Sequence, residues 1–259
     1  MDGPALSRRA LIAGAAAALL PAPLAAGRAP AGLAGIIARN TRARGGAAAL
    51  DRVRSCLIEL DIDERGQVIH ARYAADAAGL VRIDILAGGN LVYREGVDRR
   101  GGWFWDRGAA APQPSNAQGT SALLNGAENH LFGLHRFAAR GNRLRLMPSE
   151  RIEGRACPVI EIRYRTGQLS YFTVDPATWL LIRRRDERAY HPDADLTRQR
   201  VETRFSDFQR VGGVVAAHRD IDVDLATGAT LATHQVTRRV INPSLPDGVF
   251  DRSFGPIPG

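Results

Sequence analysis

From Cys56 to Ile241 the chain repeats one pattern, a short run that alternates apolar and polar residues and then a cluster of Gly, Pro, Asn or Asp. In the stretch CLIELDID, Cys56, Ile58, Leu60 and Ile62 share one face while Glu59, Asp61 and Asp63 share the other. That is the two-residue period of a strand with one face on a core. Glu64-Arg65-Gly66-Gln67 is turn chemistry, and VIHARYA, LVRIDIL, LVYREG and Trp103-Phe104-Trp105 follow at the spacing of an antiparallel meander. After a helical interval the period returns in RLRLM, VIEIRYR, LSYFTV, WLLIRRR, RVETRFSDF, VVAAHRDIDVDL and TLATHQVTRRVI. Many short strands with turns between them pair antiparallel, so the fold is mainly β, with a small helical share.

The helical signals are two. Leu33, Ile36, Ile37, Leu50 and Val53 form an apolar stripe interrupted by Gly45-Gly46, which predicts two short helices. Residues 107–119 have loop composition; Thr120 or Ser121 then caps a helix carrying Leu123, Leu124, Ala127, Leu131 and Leu134 and ending near Gly141. With no composition shift to mark a boundary, one large curved sheet with helices in its concavity is the expected architecture.

One run departs from the alternation. In YFTVDPATWLLIRRR, residues 171–185, the Asp175-Pro176-Ala177-Thr178 turn is followed by Trp179, Leu180, Leu181 and Ile182, apolar in succession. Both faces of that strand avoid water, so a helix or a ligand must cover the second.

The amino terminus carries Ser7-Arg8-Arg9-Ala10-Leu11-Ile12 and then the apolar run ALIAGAAAALL, too short for a stable bilayer span. Twin arginines before such a run predict export of the folded protein to the periplasm, with residues 1–27 cleaved near Ala26 or Gly27 and 28–259 forming the mature domain. Cys56, the first cysteine, lies too far along to be a lipoprotein anchor. Cys56 and Cys157 could bridge in an oxidising compartment. Each also sits in an apolar run where Cys serves as a small hydrophobe, and sequence leaves both readings open.

The net charge is +8, and all 35 basic residues are Arg. A GC-rich coding sequence accounts for that; an anion-facing surface is the other reading. The arginines alternate with acids and form no basic block with interleaved aromatics, which argues against nucleic acid as a partner. No nucleophile elbow, zinc-protease, redox or phosphate-loop motif occurs, so neither catalytic residues, metal nor cofactor are expected. His191, Asp193 and Asp195 are cation-ligand types but read as a polar Pro turn. His218, Asp220, Asp222 and Asp224 share a strand face; with Glu59, Asp61 and Asp63 they would make a hard-cation site, and otherwise a solvated outer face paired with Arg. His130 and His135, five apart on the helix, do not converge.

The order of elements resembles the LolA/LolB-like superfamily of periplasmic lipoprotein carriers, or outer-membrane lipoprotein-sorting proteins. The lead RGGAAALDRVRS, the hairpin YFTVDPATWLLIRRR, the stretch FSDFQRVGGVVAAHRDIDV and the ending VINPSLPDGVF are similar to that family, although Ala216 and Ala217 stand where a Pro often follows the Gly-Val turn. The resemblance implies a single half-open antiparallel β-barrel of about eleven strands with helices over an apolar concave face. It implies a binding protein rather than an enzyme, carrying a lipid or acylated protein across the periplasm; a monomer that meets a membrane-bound donor or acceptor is expected. A regulatory or envelope-sensing module on the same fold is the alternative, and a metal-dependent hydrolase a weaker one. The expected cavity residues are Trp103, Trp105, Leu123, Leu131, Phe172, Val174, Trp179 and Leu181, with Leu180 and Ile182 packing elsewhere.

Overall fold

The computed structural model describes residues 32–258 apart from 65 and 191. The export signal and its cleavage site lie outside the described residues, as does His191. Helices α1 (Leu33–Ala43) and α2 (Ala47–Leu50) come first, broken at Gly45-Gly46 as the glycines predict. The break also has a tertiary cause. Gly45 has φ +116°, and a Cβ there would lie 2.2 Å from the Gly213 carbonyl oxygen.

Five strands follow: β1 (Ser55–Glu64), β2 (Gln67–Asp76), β3 (Val81–Ala87), β4 (Asn90–Asp98) and β5 (Gly101–Asp106). A two-residue β6 (Gln113–Pro114) lies within the stretch expected to be a loop. The expected central helix is α3 (Ala117–Leu131), then α4 (Leu134–Phe137) and a 3-10 turn at Ala138–Arg140. It starts earlier than expected, because Asn116 Oδ1 accepts from Gln118 N and Gly119 N and so caps the helix before Thr120 is reached. The remaining strands are β7 (Arg143–Ile152), β8 (Arg155–Arg163), β9 (Leu169–Val174), β10 (Leu181–Ala189), β11 (Arg198–Val211), β12 (Val214–Asp224) and β13 (Thr230–Ile241).

All thirteen form one antiparallel sheet in the order β6-β5-β4-β3-β2-β1-β13-β12-β11-β10-β9-β8-β7. The resemblance's count of about eleven is two short; the sequence carries twelve periodic runs, and the thirteenth strand, β6, has no periodic signature. β6 and β7 are the two edges and do not pair, so the barrel is open.

The sheet has two covered faces. On the concave side Cys56, Ile58, Tyr73, Val81 and Val97 pack against Leu123, Ala127 and Leu131 of α3. On the convex side Leu57 and Ala74 pack against Val249, Phe250 and Ile257 of the carboxyl-terminal tail. The tail is held by a buried pair. Arg82 Nε donates to Asp84 Oδ1 at 2.8 Å, its Nη1 to Val249 O at 3.0 Å and its Nη2 to Gly255 O at 2.6 Å. Asp84 Oδ2 accepts from Ile257 N at 2.6 Å. Both side chains are 0% exposed. Cys56 and Cys157 are both buried with free thiols, so neither bridges the other.

Candidate functional site

A cavity of about 340 Å³ lies between the concave face and the helices. Its floor follows the alternation of β1, with Ile58, Leu60 and Ile62 in a row. Ala71 and Tyr73 of β2, Ile83 of β3 and Val236 of β13 continue it. Phe205 and Phe208 of β11 and Phe172 of β9 form one wall, and Gly126 of α3 with Phe132, Leu134 and Phe137 form the roof. The roof is tied down at both ends. Asn125 Nδ2 donates to Gln168 Oε1 and Tyr164 Oη to Asn129 Oδ1, which pin α3 to the β8–β9 hairpin. At the start of α3, Asp193 accepts from Ser115 Oγ and Asn116 N. Among the described residues no cluster of His, Cys, Asp and Glu could hold a metal ion.

Of the residues expected from sequence, Phe172 and Leu181 are on the cavity wall. The other six are elsewhere, for reasons of register and turn geometry. Trp103 and Trp105 stand on the convex face, because Trp103 opposes Gly96 and Trp105 opposes Arg94. The Arg94 guanidinium covers the Trp105 ring at 4.8 Å and donates to Phe254 O in the convex tail. Trp103 is fully buried over Gly96, where a Cβ would meet its ring at 3.0 Å. Leu123 and Leu131 belong to the α3 core stripe, and Val174, paired with Leu181, is fully buried and outside the lining.

Trp179 answers the question posed by its apolar run. The Asp175 turn is longer than a four-residue turn, closing with Trp179 N to Asp175 O at 2.7 Å and Asp175 N to Leu180 O at 3.0 Å. Trp179 takes φ +61° and leaves the strand. Its ring stacks under Arg39 of α1 at 4.5 Å, and its carbonyl accepts from Asn40 Nδ2. The pairing of β9 with β10 then shifts register between Leu181 and Arg183. That irregularity turns both Leu180 and Leu181 to the cavity, which corrects the expectation that Leu180 packs elsewhere. A helix covers the second face at Trp179, and the cavity covers it at Leu180.

The polar part of the lining was not foreseen. Arg44, His130, Arg184, Asp220, His234 and Arg239 all border the cavity. Asp220 and Asp222 are therefore on the concave side. They are separated by the sheet from Glu59 and Asp61, which pair with Arg238 and His70 on the other face. Neither the cation site nor the solvated outer face describes them. Asp220 Oδ1 is 2.8 Å from His234 Nδ1, and Asp222 binds Arg188 at 3.0 Å and the Thr203 hydroxyl at 2.6 Å. Burial disfavours the charged imidazole of His234, but the Asp220 hydrogen bond together with the negative charges of Asp220 and Asp222 outweighs it and raises the pKa. His130 behaves in the opposite way. Burial, then Arg239, Arg184 and Arg44, push it down to about 3, so it is neutral. Its ring lies 4.9 Å from Tyr73, whereas His135 points away to Asp51 at 3.0 Å.

No protein-family model matches the sequence, and no curated protein matches it. Solved structures do resemble it. A LolA superfamily protein from Nitrosomonas europaea superposes with TM-score 0.54 at 12% identity, covering 85% of this chain and 97% of that one. An outer membrane lipoprotein-sorting protein domain from Vibrio parahaemolyticus gives 0.53 at 10% identity over 83% and 94% of the two chains. A DUF1329 family protein from Desulfovibrio piger gives 0.52 at 14% identity over 84% and 96%. Likeness at such low identity speaks for the fold, and it agrees with the open sheet and helical roof: this chain has the LolA-like open-barrel fold.

Proposed function

We propose that this protein is an exported carrier that holds a lipid or acylated chain in the cavity beneath α3 and α4, and that it binds without catalysing a reaction. The observation that carries this reading is the cavity itself, about 340 Å³, lying between sheet and helices and lined chiefly by aliphatic and aromatic side chains. Its size falls in the range of small-molecule sites. An apolar chain needs no special residue for affinity, since each methylene moved out of water contributes about 0.8 kcal/mol before association costs. The twin arginines at Arg8 and Arg9 support a periplasmic address.

The test is native mass spectrometry of the protein isolated from its own periplasm without detergent, compared with Leu181→Trp, which adds bulk to the wall. Discrete added masses, released by organic solvent, identified as lipids and diminished in Leu181→Trp, are the expected result. A clean apo mass together with a stable lipid-independent protein complex would replace the carrier with an envelope-sensing module.

A further inference from the structure

The cavity is apolar in its walls but unbalanced in its charges. Two of its ionic groups have partners: Arg184 Nε is 3.1 Å from Asp186 Oδ2, and His234 meets Asp220. Arg44 and Arg239 do not; among the described residues neither has a carboxylate within salt-bridge distance. Arg44 donates only to main-chain carbonyls, to Phe132 O at 3.1 Å and Val215 O at 3.5 Å. Arg239 donates only to Ala217 O at 3.2 Å, and its Nε is buried without a partner, as is Tyr73 Oη. A guanidinium has five N–H donors, so most of theirs are unused. Two half-buried cations facing the same cavity, each without an ion pair among the described residues, call for an anion.

The sheet places them together. The ladder between β12 and β13 runs from Arg219 opposite Gln235 to Val223 opposite Thr230, so residues 214–218 leave their carbonyls outside it. Arg44 and Arg239 reach two of these carbonyls, Val215 and Ala217. These lie two residues apart on one strand, about 7 Å at the strand rise. Arg239 opposes Ile58 on β1, and Ile58 opposes Tyr73 on β2. Along β1 the cavity floor then runs Ile58, Leu60, Ile62, about 13 Å, to the His234–Asp220 pair, which is already neutralised. One end of the cavity is therefore cationic, and an apolar trough leads away from it.

We propose that the ligand is a long-chain amphiphile with an anionic head, a carboxylate or a phosphate. Its head lies between Arg44, Arg239 and Tyr73, and its chain runs along the Ile58–Ile62 trough. The proposal rests on the carrier reading and adds the headgroup chemistry. Charge-assisted hydrogen bonds from the two guanidiniums discriminate strongly against a neutral head, since a neutral hydroxyl accepts the same N–H groups but leaves both charges uncompensated.

The test is equilibrium binding of palmitate, hexadecanol and monohexadecyl phosphate to the delipidated full-length mature protein. The panel is wild type, Arg239→Met, Arg44→Met and Arg239→Lys, each checked for cooperative melting. Wild type is expected to bind palmitate or the phosphate about ten- to a hundredfold more tightly than hexadecanol. Whichever anion is preferred identifies the headgroup. Arg239→Met or Arg44→Met should lose most of that preference while keeping hexadecanol affinity, and Arg239→Lys should retain part of it. Equal binding of anion and alcohol by wild type overturns the proposal and leaves the carrier reading standing. Failure of wild type to bind any of the three overturns both. The wild-type comparison decides even where a variant does not fold.

Discussion

Replacing Asp84 with Ala is expected to unfasten the carboxyl-terminal tail. Asp84 takes two hydrogen bonds from Arg82, at 2.8 and 3.3 Å, and one from Ile257 N at 2.6 Å, all fully buried. Its removal strands the Arg82 guanidinium, still inside, against the carbonyls of Val249, Phe254 and Gly255. Breaking one side of a buried pair costs about 3–5 kcal/mol. At about 2–4 °C per kcal/mol for a chain of this size, that lowers Tm by roughly 10 °C. The assay is urea and thermal unfolding by circular dichroism, with amide exchange of residues 249–257 as the local readout. Because the cost comes from an uncompensated charge, the double variant Arg82→Met/Asp84→Leu should recover most of the loss. Ligand loading should be unaffected, since the pair is on the face opposite the cavity. If Asp84→Ala costs less than about 1 kcal/mol, or if the double variant is no more stable than the single, the buried-pair reasoning is wrong.

Two further outcomes follow from particular positions. Burial, then the neighbouring Asp193, raise the Glu95 carboxyl from 4.5 to about 7. A raised carboxyl holds its proton more tightly in the folded state, so stability should fall as pH climbs from about 4.5 to about 7, by at most about 3 kcal/mol. Urea unfolding of wild type and Glu95→Gln should therefore show the variant gaining at pH 8 relative to pH 5; parallel curves would reject this. Gly45→Ala places a Cβ 2.2 Å from the Gly213 carbonyl at φ +116°, whereas Gly46→Ala at φ +89° meets nothing within 4 Å. The first should cost at least about 2 kcal/mol in denaturant unfolding and the second only the backbone strain of about 1 kcal/mol; equal costs would place the strain in φ alone.

Much of this architecture is written locally. The alternation in CLIELDID put Cys56, Ile58, Leu60 and Ile62 on one face, and that face is the cavity floor. A two-residue period needs no knowledge of partners, because the face assignment follows from the strand itself. The same is true of the break at Gly45-Gly46 and of the meander between residues 55 and 106. Which face is which is not local. Trp103 and Trp105 share a face on any reading, but only the register through β4 and β3 puts that face under the tail, away from the helices. Trp179 left its strand because the Asp175 turn is closed by bonds that span five residues, and the register shift at Leu181 follows from pairing with β9.

The charge pattern in the cavity is the furthest from the sequence. Arg44, His130, Arg184 and Arg239 sit on α1's end, α3, β10 and β13, and no spacing relates them. Alternating with acids, they read as ordinary surface arginines. The β12–β13 ladder ends at Arg219 opposite Gln235, and two of these arginines donate to main-chain carbonyls of β12 before that point rather than to carboxylates. Periodicity thus determined the strands, the helices and the apolar floor, since those depend on neighbours along the chain. The position of the cavity and its charge were decided only by strand register, because they depend on residues far apart in the chain, such as Arg44 and Arg239, both on the cavity wall.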